Sequence, residues 1–200
     1  MNGGHITLND VLLSFTSLIQ SQQDEEHDPT PTEYFAAVLT TMAHSIEQAS
    51  QSQGTTGEDN MDDYVINCMK ILEAVIPNSS LAIVRNQFRS LSSTMMQLIQ
   101  ASQDNQPLLK NAIKLLGTLL NVQEYSDSFW ANVQPLQCIN TILAFIEHND
   151  LKLRKLAQEQ LISLLKQHSL QKAKAVRNYL ADYCIGVIQA CTRSSYKRSL

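Results

Sequence analysis

The residues best placed to do chemistry lie in the last quarter of the chain. Asp150-Leu151-Lys152-Leu153-Arg154-Lys155-Leu156-Ala157 is followed by Leu161, Leu164 and Leu165, an apolar stripe at helical spacing. An Asp at the start of such a helix accepts from the first unpaired amides and complements the helix dipole. An Arg four residues on has the length to reach a carboxylate or turn carbonyl of a neighbouring repeat. The small Ala157 lets a paired helix approach. Asp150 and Arg154 therefore read as structural residues between repeats. Lys152, Lys155 and Lys166 fall away from the Leu153–Leu156–Leu164 stripe, and Lys172, Lys174 and Arg177 open the next helical segment. Such a ridge could meet an anionic partner, either phosphates or an acidic protein tail, through contacts blind to sequence. Charge runs are more commonly plain solvated faces, and that reading is favoured on the sequence alone.

Little else in the chain offers reactive chemistry. The five histidines are scattered, and no nucleophile, base and carboxylate stand at useful spacing. No glycine-rich phosphate loop, HExxH or GxSxG occurs. Cys68, Cys138, Cys184 and Cys191 form no CxxC pair, so buried free thiols in a reducing compartment are expected, with no metal. The expectation is a binding protein, not an enzyme, without cofactor or small-molecule substrate. Trp130 beside Phe129 could anchor a partner, but a plug in an irregular turn is favoured. Tyr179 and Tyr183, four apart, could stack on bases but pack into a core more readily.

Charge sharpens this picture. The net charge is −4, which argues against general attraction to nucleic acid. Residues 1–150 carry five Lys/Arg and seventeen Asp/Glu, a balance of −12; residues 151–200 carry ten and two, a balance of +8. No N-terminal signal pattern and no membrane-length apolar run is present, so the chain reads as soluble and inside the cell.

The elements that must hold these residues are helices. Few glycines and prolines, with many Leu, Ala and Gln, favour helix over sheet. Asn9 can cap a helix carrying Leu12, Leu13, Phe15, Leu18 and Ile19. A loop near 21–31 leads to Thr32, which can cap a helix with Phe35, Val38, Leu39, Met42 and Ile46. Residues 49–60 read as a second flexible loop, and Asp62 or Asp63 opens the next helix. Pro77 ends it, and Asn78-Ser79-Ser80 supplies the cap of a long helix to Gln100. Pro107 suits a first turn; Pro135 begins a helix; the Asp150 helix and a last one through Cys191 follow.

About nine helices result, with pairs recurring roughly every 40 residues. The fold class expected is all-α, a HEAT/armadillo-like α-solenoid of about four helix pairs, forming one segment over 1–200. The uncapped end at Tyr196–Leu200 reads as a fragment of a longer solenoid.

Three ordered blocks carry a resemblance. They are Thr32-Glu33-Tyr34-Phe35-Ala36-Ala37 with Thr40-Thr41-Met42; Leu116-Gly117-Thr118-Leu119-Leu120 followed by Gln123 and Trp130; and Leu143, Phe145, Ile146 and His148 leading into Lys152, Arg154, Lys155, Ala157 and Gln158. Across roughly residues 30–195 the chain resembles the N-terminal part of the ribosomal RNA-processing protein twelve family, large nucleolar HEAT-repeat factors. The resemblance implies maturation and nuclear export of pre-ribosomes, chiefly the small subunit. It implies rRNA, ribosome-assembly proteins and nuclear-transport proteins as partners, and nuclear and nucleolar residence with shuttling to the cytoplasm. The acidic first 150 residues are unlike an RNA-binding surface. A generic HEAT adaptor for protein clients without an RNA role is the alternative, and a self-assembling domain a weaker one.

Overall fold

The computed structural model describes residues 6–22, 28–51, 58–102, 104–124, 126–167, 178–183 and 185. Among them the helices run α1 (Leu8–Ser21), α2 (Pro31–Gln51), α3 (Glu58–Val75), α4 (Leu81–Ala101), α5 (Gln106–Asn121), α6 (Asp127–Trp130), α7 (Val133–Leu143) and α8 (Leu151–Gln167), with a 3-10 turn at Ile76–Asn78. No strand occurs among the described residues. Residues 178–183 and 185 are also helical.

Three antiparallel pairs stack side by side: α2 with α3, α4 with α5, and α7 with α8. The second helices, α3, α5 and α8, form one layer; α5 lies in its middle and packs on both neighbours. The first helices α4 and α7 meet in the other layer, and α1 packs on α2 and α3. The repeat is written into the polar contacts between pairs. Asn105 Nδ2 donates to Asp62 Oδ2 at 2.6 Å, 43 residues away. Asn121 Nδ2 reaches Ser163 Oγ at 3.2 Å, 42 residues away. Gln134 Nε2 reaches Ser92 Oγ at 3.0 Å, also 42 residues away. A recurrence of this length is the HEAT solenoid expected from the pattern of the sequence.

The core follows from the periodicity. Val84, Phe88, Leu91, Met95 and Ile99 of α4 recur at three and four residues and are buried. Trp130 is fully buried, its Nε1–H donating to Glu124 O at 3.0 Å. Phe129 meets Trp130 edge to face at 5.1 Å and Phe88 at 5.3 Å. The indole plugs the turn between α5 and α7. Arg85 of α4 closes the same turn by donating to Val122 O at 3.0 Å. Gly117 is buried beneath Gln160 of α8, whose carboxamide a methyl group at that position would displace.

Several boundaries differ from the sequence reading, each for a local reason. Thr7, not Asn9, caps α1: Thr7 and Asp10 each satisfy the other's backbone N–H, at 3.3 and 3.0 Å. Thr30, not Thr32, opens α2 through the same device with Glu33, Pro31 taking the first helical position. Thr32 instead accepts from the Ser80 N–H at 2.9 Å, joining the starts of α2 and α4. Helix enters the expected second loop, 49–60, from both ends: α2 continues to Gln51, and α3 begins at Glu58 rather than Asp62 or Asp63, while residues 52–57 lie outside the described residues. Gln and Ser tolerate helix, and Glu58 and Asp59 suit a helix start. Helix α7 begins at Val133, two residues before Pro135. Ser80 caps α4 without a side-chain bond, and Ser79 Oγ donates to Pro31 O and Val75 O instead of to the helix start. On α1, Val11, Phe15 and Ile19 are buried, while Leu12, Leu13 and Leu18 are exposed. Among the described residues that helix packs on α2 and α3 along its buried stripe.

Candidate interaction surface

The Asp150 octet folds as a helix start. Asp150 Oδ1 accepts from Lys152 N at 2.6 Å and Leu153 N at 3.0 Å. The Leu153 bond above all holds its carboxyl below the ordinary carboxylate value. Its own N–H donates to His148 Nδ1 at 3.1 Å. Arg154 Nη1 donates to His148 O at 3.1 Å. That carbonyl lies in the turn joining α7 to α8, so this bond stays inside one helix pair, whereas a reach between repeats was expected. The expected burial of Ala157 and of Leu153, Leu156, Leu161 and Leu164 is found.

This anchoring fixes which side of α8 faces outward. Lys152, Lys155 and Lys166 are all exposed. Three, four and seven residues make near-integral turns, so Lys155, Glu159, Ile162 and Lys166 share one face. Ile162 is 49% exposed and Leu151 is 51% exposed on that side. The cationic row from Lys152 to Lys166 extends over about 21 Å of helix axis. Lys172, Lys174 and Arg177 lie outside the described residues.

The structure adds two cations that sequence reasoning passed over. Lys110 and Lys114 of α5 lie on its solvent side; Lys110 is exposed and Lys114 bridges to Glu73 Oε1 of α3 at 3.2 Å. The helix layer places α5 directly beside α8. The signal was available: the remaining face of α5 is apolar, leaving Lys110 and Lys114 one direction to point. The candidate aromatics take the bland reading. Trp130 is buried, and Tyr179 and Tyr183 pack against the core.

No reactive centre forms elsewhere among the described residues. No three His, Cys, Asp or Glu side chains gather as a metal site. Burial raises the Cys68 thiol to about 12 and the Cys138 thiol to about 11, which keeps both protonated and inert at neutral pH. Two adjoining clefts, of about 350 and 400 Å³, run between α4 and α7 and share Gln100 and Thr141. Their ionisable lining is His148 alone. No helix of the described residues is long and apolar enough to cross a membrane. What the arrangement offers is surface: helix faces held rigidly in layers.

Residues 6–189 match the family model for RRP12-like proteins, N-terminal HEAT repeats. The chain is 28% identical over 195 residues to an RRP12-like protein of Homo sapiens, covering 94% of this chain and 14% of that protein. It is 28% identical over 167 residues to the RRP12-like protein of Gallus gallus, covering 82% and 11% respectively. The RRP12-like protein of Drosophila melanogaster is 24% identical over 157 residues. The chain thus spans about a seventh of the length of the human relative. No solved structure matches it.

Proposed function

This chain belongs to the RRP12-like family, as its N-terminal HEAT repeats, and on that premise we propose that it is a non-enzymatic scaffold in ribosome biogenesis. It binds pre-ribosomal RNA–protein surfaces, chiefly of the small subunit, and so aids rRNA processing and export of the particles from the nucleus. Its partners are rRNA, ribosome-assembly proteins and nuclear-transport proteins. It resides in the nucleus and nucleolus and shuttles to the cytoplasm.

The observation that carries this reading is the family match across residues 6–189. The surface is compatible with it. A layered solenoid presents rigid helix faces instead of an enclosed pocket, which suits large partners. The exposed lysines of α8 supply the charge such partners attract. Lys172, Lys174 and Arg177 add further positive charge in the sequence that follows. Asp150 and Arg154 act structurally, by setting the direction in which α8 leaves its turn.

The test is recovery of the tagged full-length protein from cells. Co-recovery of pre-ribosomal RNA with small-subunit assembly factors is the expected result. Recovery of cytoplasmic protein clients without pre-ribosomal RNA would leave the fold standing and replace this function with that of a general HEAT adaptor.

A further inference from the structure

The outer face of α8 combines cations with exposed aliphatic side chains. Lys155, Ile162 and Lys166 lie along one line of α8 and are exposed; on the neighbouring α5, Lys110 is exposed and Lys114 is paired with Glu73 of α3. Among the described residues the face lacks two groups that nucleic-acid sites use. Single-stranded nucleic acid is gripped by aromatic rings that stack on bases, yet Tyr179 and Tyr183 are packed against the core. Planar bidentate contact to phosphate is the strength of arginine, yet Arg154 is turned to the His148 carbonyl. Glu159 interrupts the cationic row, a feature that repels a continuous phosphate backbone and that a discrete set of carboxylates can avoid. Ile162, half exposed among these charges, has nothing to gain from a phosphate backbone. Against a protein it supplies the apolar anchor at the centre of a polar rim.

We infer that this face docks an acidic polypeptide segment carrying an aliphatic side chain, with Ile162 as the anchor and Lys155 and Lys166 as its charged flanks. The inference rests on the scaffold reading for its setting, and names the protein component of the partner surface instead of the RNA. Two lysines flanking one aliphatic residue match an amphipathic helix whose carboxylates straddle a Leu or Ile.

The test uses the purified chain and four fluorescent probes. These are a blocked 16-residue helical peptide with paired glutamates around one leucine, the same peptide with serine for leucine, the same with glutamines for glutamates, and a twenty-nucleotide oligouridine. The acidic leucine peptide is expected to bind, and to weaken as salt rises. Loss of the leucine from the peptide, or Ile162→Ser in the protein, is expected to weaken binding about tenfold each. Lys155→Glu with Lys166→Glu and the glutamine peptide are each expected to lose at least about tenfold. The peptide substitution leaves the protein untouched, so it decides the matter even if Ile162→Ser disturbs the fold. Oligouridine binding tighter than the acidic peptide overturns the inference. So does absence of acidic-peptide binding at about 1 mM, or indifference to both aliphatic substitutions. Each of those results leaves the ribosomal reading intact, because that reading stands or falls on what the full-length protein recovers from cells.

Discussion

Helices α5 and α8 occupy successive places in the same layer, yet they are built to opposite ends. On α5, nine of sixteen residues are buried, from Leu108 and Leu109 through Leu119 and Leu120. It has α3 on one side, α8 on the other and the first-helix layer beneath. On α8 a single stripe is buried, Leu153, Leu156, Ala157, Leu161 and Leu164. Lysines and exposed aliphatics occupy its outward side. Where neighbours cover three sides of a helix, its sequence is dictated by packing and little remains for recognition. Where they cover fewer, the freed positions can carry charge without loss of stability. Among the described residues the same fold thus sets a helix packed on several sides beside one whose outward side stays exposed.

The sharpest way to break this contrast is to damage α5. Leu116→Ala removes a fully buried side chain and is expected to cost about 2–5 kcal/mol in unfolding free energy, read by denaturant titration. A cost below about 1 kcal/mol would show that α5 is not the packed centre. Next in size is Gly117→Leu, whose side chain must push Gln160 and α8 aside, at about 1–3 kcal/mol. Gly117→Ala should do far less, since the Gln160 carboxamide can swing away.

Asp150 gives a smaller effect with a characteristic pH dependence. Its folded carboxyl sits below the ordinary value of 3.8 because it accepts the Leu153 and Lys152 N–H groups. A carboxylate with a depressed folded value contributes stability above its unfolded value and loses it as pH falls through the folded one. Asp150→Asn should therefore lower the thermal midpoint at pH 7, and the difference from the unaltered chain should shrink toward zero in strong acid. A difference independent of pH would mean the charge plays no part. The smallest effect is expected on α8: Lys155→Ala should alter stability by less than about 0.5 kcal/mol. A separate check follows from the thiols. Cys68 and Cys138 should resist alkylation in the folded chain at pH 8 and react on unfolding, as peptide mapping would show.

Much of the stack was legible in the sequence because it depends on residues close together in the chain. The stripe Leu153–Leu164, the stop at Pro77, Pro107 in a first turn and the plug at Trp130 all follow from short-range spacing. The expected recurrence near 40 residues matches the spacing of the polar contacts that join the pairs, though the contacts themselves were not foreseen. Other features depend on what lies alongside, which spacing does not encode. Leu12, Leu13 and Leu18 fit an apolar helix, but only the position of α1 at one end of the stack decides that they stay exposed. Thr7 and Thr30 were passed over because Asn9 and Thr32 are equally good caps taken alone; the acidic residue three positions on distinguishes them. Arg154 has the reach for a neighbouring repeat, and finds the nearer His148 carbonyl first. The lysines of α8 were visible as charge, and so were Lys110 and Lys114 on the one polar face of α5; only the packing shows that α5 and α8 are neighbours.

The proposed division between a packed helix, α5, and a partner-binding one, α8, is tested most directly by charge reversal in the full-length protein. Lys152→Glu, Lys155→Glu and Lys166→Glu would be combined, and the variant compared with the unaltered protein for helicity and for recovery of pre-ribosomal particles. Unchanged far-ultraviolet circular dichroism with lost recovery is the expected result. Undiminished recovery from a folded variant would contradict a recognition role for α8 and return its lysines to an ordinary solvated face.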